Sequence, residues 1–166
     1  MKCKNHPYSV NVDIVAYSSQ TVHAVVSFNN MGDWFLSPLD ASPIFNKKKC
    51  LWEDLVNISN MSKMPWLVAG NFNDVSSASE KKGGPFNQYK ANIFNNRIND
   101  CKLIDLGWRG SPFTLVGKRR GGILVKERLD RALANDKWCT RFSNVMVSHL
   151  PRIMSDHHPI LVDPDC

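Results

Sequence analysis

The chain has 166 residues, 43% hydrophobic and 22% charged, with a formal net charge of +6 and a pI near 9.2. That length suits one domain with a sizeable core, no apolar run reaches the roughly 18 residues of a membrane span, and the basic start MKCKNHPYSVNVDI lacks the apolar stretch of a signal peptide. Five scattered cysteines (Cys3, Cys50, Cys101, Cys139, Cys166) form no C-x-x-C pair, which argues against a zinc knuckle or redox motif and for free thiols in a nuclear or cytoplasmic protein that is not secreted.

TVHAVVSF alternates, with Val22, Ala24, Val26 and Phe28 on one face, and reads as a half-buried strand. WFLSPL is a second strand candidate. NKKKCLWEDLVNISNM places Leu51, Leu55 and Ile58 at helical spacing, with Asn46 as N-cap. PWLVAG is a short continuous apolar run, suited to a strand buried on both faces. NQYKANIFNNRINDC carries Tyr89, Ile93, Phe94, Ile98 and Cys101 on a helical stripe. LIDLGW and PFTLVGK follow, and RRGG forms a turn before ILVKERLDRAL. NDKWCTRF reads as a short helix capped by Asn135 or Asp136, and VMVSHL and HPILVD as late strands. The pattern is mixed α/β with more strands than helices. No repeat, low-complexity stretch or linker divides it, so 1–166 is read as a single domain.

Three polar stretches fall at strand ends: GNFND, RLDRAL and SDHHP. Such groups suit chemistry on a phosphate. The Asp156 carboxylate can hold a divalent cation or a water, and the His157 imidazole a phosphate oxygen. Asp130 can accept a hydrogen bond from an imidazole and fix its tautomer. Asn73 can donate to a phosphoryl oxygen. Each also has a plain structural reading: Asp130, between Arg128 and Arg131, as a salt-bridged surface carboxylate, Asp156 as a turn cap, His157 as a hydrogen-bonded loop histidine, Asn73 as a turn residue. The basic clusters, among them Lys118, Arg119, Arg120, Lys126 and Arg128 around the expected hairpin, fit either DNA phosphates or a solvated surface. No small-molecule cofactor is evident.

In order and spacing, WFLSPLDASP, LWEDL, PWLVAGNFND, EKKGG, LIDLGWRGSPFTL, KERLDRALANDKW and HLPRIMSDHHPILVD resemble the endonuclease/exonuclease/phosphatase superfamily. The likeness is to the endonuclease domain of plant LINE-type (non-LTR) retrotransposons, and runs from about Trp34 to Asp163. The resemblance implies a four-layer α/β sandwich, two β-sheets flanked by helices, that cleaves phosphoester bonds with Mg²⁺ or Mn²⁺. It implies a metal- or water-binding role for Asp156, phosphate contact for His157, orientation of that histidine by Asp130, and phosphoryl support by Asn73. Three departures stand out. Asn71 replaces the aspartate proposed to activate the nucleophile, and an amide is neither a general base nor a charged ligand. Asp40 replaces a phosphate-contacting tyrosine, and its charge would repel phosphate. Only about 33 residues precede Trp34, where the family has an asparagine-bearing strand and then a metal-binding glutamate. The expectation is therefore a domain incomplete at its N-terminus, with little or no nuclease activity. The alternative is a non-catalytic nucleic-acid-binding module on the same scaffold.

Overall fold

A computed structural model describes residues 10–28, 32–119 and 121–164. The described residues begin with three strands paired antiparallel in order, β1 (Val10–Tyr17), β2 (Val22–Phe28) and β3 (Gly32–Asp40), followed by α1 (Phe45–Met61) and β4 (Trp66–Asn71). A single 3₁₀ turn (Ala78–Glu80) leads into β5 (Lys81–Lys82), α2 (Gln88–Asp100), β6 (Ile104–Asp105) and β7 (Arg109–Gly110). The chain continues through β8 (Leu115–Lys118), β9 (Leu124–Glu127), β10 (Asp130–Ala134), α3 (Asp136–Arg141), β11 (Met146–His149) and β12 (Ile160–Asp163). Hydrogen bonding groups the strands into a six-stranded sheet, β1-β2-β3-β4-β10-β6, and two three-stranded sheets, β12-β11-β7 and β5-β9-β8. The class is the expected α/β, with sheets flanked by helices.

β4 explains the layering. It lies between β3, which it pairs in parallel, and β10, which it pairs antiparallel. Its side chains alternate between two cores, as period-2 geometry requires. Trp66 and Val68 join Leu51, Leu55, Phe72 and Phe94 under α1 and α2. Leu67 joins Ala132, Ala134, Trp138, Phe142 and Val147 on the side of α3 and β11. Burial on both faces is why the run after Pro65 is apolar without alternation. The β10 partner Leu133 matches Val68 in register, and Ala134 matches Leu67.

The helix and strand placements expected from periodicity are present, with local corrections. Asn46 lies inside α1, one residue past its start; Ile44 occupies the cap position and offers no side-chain acceptor. Asn87 caps α2 by accepting from the Lys90 amide, and Asn135, rather than Asp136, caps α3 by accepting from Trp138. The buried stripe of α2 is Ala91, Phe94, Ile98 and Cys101, whereas Tyr89 is 73% exposed. Burial leaves the Cys101 thiol pushed up to about 12. Cys50, Cys101 and Cys139 are free thiols; Cys3 and Cys166 lie outside the described residues. Among the described residues no helix is long and apolar enough to cross a membrane.

Candidate active site

Strand direction assembles the site. Because β3 and β4 run parallel, Asp40 and Asn71 finish side by side; because β10 runs against β4, Asp130 starts opposite Asn71. Gly70 permits the close approach. A β-carbon there would stand 2.0 Å from the Leu39 carbonyl oxygen, and its φ of +141° is one that L side chains rarely adopt. His157 arrives from the loop before β12, with Nδ1 2.8 Å from Asp130 Oδ2. A carboxylate only accepts, so Nδ1 carries the proton and Nε2 remains for a ligand. The Asn71 amide is committed at both ends: Nδ2 donates to Asp40 Oδ1 at 3.1 Å, and Oδ1 accepts from the Asn73 amide at 2.9 Å. Asp40, Asn71, Asp130, Ser155 and His157 line a cleft of about 470 Å³, with Ile153 and Ile160 among its apolar lining.

Thr114, which sequence reasoning passed over, holds the two halves of this pair. Its hydroxyl accepts from the backbone amides of Leu129 and Asp130, each at 2.9 Å, and its carbonyl accepts from the His158 amide at 2.6 Å. An isolated bridge joins the adjacent Leu115 to His157. The only hint in the sequence is a hydroxyl inside the apolar PFTLV. A buried ionic cluster flanks Asp130 as well. Arg128 pairs with Glu80 and Asp105, and Arg131 pairs with the same two carboxylates. Burial alone would raise the Glu80 carboxyl, but Arg131 and Arg128 overcome it and hold the group at about 2. On the far side of the turn, Lys48 pairs with Asp74 at 2.5 Å. Burial lowers the lysine and raises the aspartate, with their mutual attraction opposing both shifts.

The expected site residues divide by location. His157, Asp130 and Asn71 share the cleft. Asn73 does not: its Nδ2 donates to the Ala41 carbonyl at 2.6 Å, its φ is +50°, and its side chain lines the neighbouring cavity. Asp156 is exposed, and its carboxylate lies over β8, where a β-carbon on Gly117 would meet Oδ2 at 3.8 Å. Lys118 and Arg119 are exposed and Lys126 is half-buried on the β8–β9 hairpin, while Arg120 lies outside the described residues. Arg128 is a correction. It is 2% exposed, bound to two carboxylates and packed 4.1 Å from the Trp108 ring centroid, so it presents no cation to a polyanion.

The described residues supply no preformed cluster for the divalent cation that the resemblance implies. Among the described residues no three histidine, cysteine, aspartate or glutamate side chains are placed to hold a metal. In the cleft, Asp130 is engaged by His157 and Asp40 by the Asn71 amide. Mg²⁺ is held by one or two carboxylates together with its own waters and substrate oxygens, and the two carboxylates of this cleft, Asp40 and Asp130, stand on either side of the uncharged Asn71 amide.

Comparison with known proteins places the scaffold. The profile of the Endonuclease/Exonuclease/phosphatase family matches residues 6–157, beginning well upstream of Trp34. The structure is similar to the "Endonuclease domain of TRAS1, a telomere-specific non-LTR retrotransposon", with a TM-score of 0.66 and 14% identity over 92% of this chain and 68% of that one. It is also similar to an endonuclease/exonuclease/phosphatase family protein from Leptotrichia buccalis C-1013-b, with a TM-score of 0.51 and 13% identity over 94% of this chain and 60% of that one. At these identities the likeness is one of fold. No curated protein matches the sequence. With a profile match across most of its length and the fold to go with it, the chain belongs to the endonuclease/exonuclease/phosphatase family.

Proposed function

We propose that this chain is a retroelement-derived, endonuclease-like domain that engages DNA and hydrolyses it weakly or not at all. The observation that carries the reading is the Asn71 amide, which stands at the centre of the cleft with both polar atoms occupied. Hydrolysis of a phosphodiester needs a group that takes a proton from water or holds a metal-bound hydroxide. An amide does neither. The phosphate-holding part is more complete. Asp130 fixes the His157 tautomer, and Nε2 is left to contact a phosphate oxygen in the cleft.

The test is relaxation of supercoiled plasmid in Mg²⁺ and in Mn²⁺, with His157→Ala as the control for contaminating nuclease. The expected result is no nicking above that control, together with DNA binding that weakens as salt rises. Robust nicking that disappears in His157→Ala would overturn the reading. A second reading, a binding module that no longer turns over, is favoured by the exposed Lys118 and Arg119 beside the Gly121–Gly122 turn. Charge reversal of both should flatten the salt dependence by about 0.9 per lost phosphate contact; an unchanged slope returns these residues to the solvated surface.

A further inference from the structure

A second cavity, of about 260 Å³, opens beside the His157 cleft. Asn71 lines the cleft and Asn73 lines the cavity, so the turn between them separates the two. Four cationic side chains, Lys48, Lys81, Lys90 and Arg119, face it against two carboxylates, Asp74 and Glu127. Their partners show which charges are balanced. Lys48 Nζ is consumed by the Phe72 carbonyl at 3.1 Å, the Asn73 carbonyl at 2.7 Å and Asp74 Oδ2 at 2.5 Å. Lys81 is paired with Glu127. Arg119 touches the same Glu127 only at 3.3 Å, with its side chain 63% exposed. Lys90 makes no hydrogen bond or ion pair through its ammonium among the described residues, yet its charge is felt at both Lys48 and Asp74.

The backbone adds to this excess. Lys48 sits in the first turn of α1 and Lys90 in the first turn of α2, and neither turn contains an acidic residue. Helix starts carry partial positive charge and favour anions, and with Lys48 already paired to Asp74, Lys90 is the lysine whose charge is left facing the cavity. We infer that this cavity holds a phosphate group of a bound nucleic-acid strand, on Lys90 and Arg119. The inference rests on the DNA-engaging reading above and adds a contact point that the motifs do not indicate. A strand with one phosphate at His157 and another here crosses the Asn71–Asn73 turn. A phosphodiester carries a single negative charge, which point-charge donors such as Lys90 recognise without bidentate geometry.

The experiment uses the isotope-labelled full chain and two probes, inorganic phosphate and a short DNA duplex, followed by NMR. Both probes should move the backbone amides of Asn87 and Lys90, and the duplex should also move the His157 ring. Lys90→Gln, an exposed position whose folding the same spectrum verifies, should lower the slope of log affinity against log salt by about 0.9, one phosphate contact. His157→Ala should leave the duplex-induced shifts at Lys90 in place. A duplex that moves His157 but not Lys90, with an unchanged slope in Lys90→Gln, would overturn the inference and leave the DNA reading standing. Shifts with phosphate and none with the duplex would overturn the strand assignment and the DNA reading together, as would no response to either probe.

Discussion

Asn71 and Asp40 are neighbours on parallel strands, and their 3.1 Å contact works only because one partner is an amide. Asn71→Asp would set two carboxylates against each other and replace an attractive contact with like-charge repulsion. The single change is therefore expected to lower the melting temperature and to leave plasmid nicking absent, since the restored carboxylate meets Asp40 rather than a metal. Nicking by Asn71→Asp that vanishes when His157→Ala is added would contradict this. Asp40→Tyr added to Asn71→Asp should recover the melting temperature by removing the like charge. Thr114 offers a second test. Thr114→Val leaves the Leu129 and Asp130 amides without their acceptor, which should cost about 1–3 kcal/mol in urea unfolding. Thr114→Ser keeps the hydroxyl and should recover most of it; equal stability of the two variants would show that the bond contributes nothing.

The 3₁₀ turn, β6 and the start of β10 are tied into one unit by Glu80, Asp105, Arg128 and Arg131. Arg131 is fully buried and Arg128 nearly so, which makes the loss of either carboxylate costly. Glu80→Gln is expected to destabilise by about 3–5 kcal/mol, because it strands a buried guanidinium; thermal melts would measure this, and a change below 1 kcal/mol, on the order of a surface pair, would mean that Asp105 alone neutralises both arginines. The pH dependence has a definite sign. The Glu80 carboxyl is depressed in the folded chain from an ordinary 4.5 to about 2. Its contribution, about 3 kcal/mol at roughly 1.4 kcal/mol per unit, is fully present above pH 4.5 and is lost as pH falls toward 2. Burial of Asp105 is likewise outweighed by Arg128, and its carboxyl is depressed in the same direction. Acid titration of the wild type should therefore show a steep loss of stability in that window, and Glu80→Gln should show a shallower one.

At the scale of the whole molecule, the six-stranded sheet is broader than the three-stranded sheet packed on its α3 side. The mismatch falls on β1, an edge strand among the described residues. Val12 pairs with Val26 and Ile14 with Ala24, so they share a face with side chains that are 3% exposed. Val12 and Ile14 themselves are 56% and 66% exposed. A long, apolar, unpaired edge is a template for association with another chain. The isolated chain is expected to self-associate, and the pair Val12→Lys with Ile14→Lys to shift it toward monomer in sedimentation. A wild type that sediments as a monodisperse monomer and melts cooperatively would rule out β1 as an exposed liability.

What the sequence determined by itself is the part of the molecule governed by local geometry. Strand and helix periods follow from backbone repeat alone, so PWLVAG and the α1 and α2 patterns were legible, as were the polar residues at strand ends; the pairing of His157 with Asp130, 27 residues apart, was indicated only by the family resemblance. The tertiary structure decided which partner each polar group takes. Arg128 reads in sequence as one more cation in KER, but its carboxylates lie 48 and 23 residues away, on the 3₁₀ turn and β6, and draw it into the core. Asp156 and His157 are adjacent in sequence, yet only His157 reaches the cleft, because the bridge with Leu115 turns the aspartate carboxylate out over β8. Tyr89 matches the helical stripe but points outward, since the face of α2 is set by where the sheet and α1 lie. Lys48, Lys90 and Arg119 come from three distant stretches and meet only when α1, α2 and the β8–β9 hairpin are packed together. Long-range electrostatic and packing partners are fixed by chain topology, which no local repeat encodes.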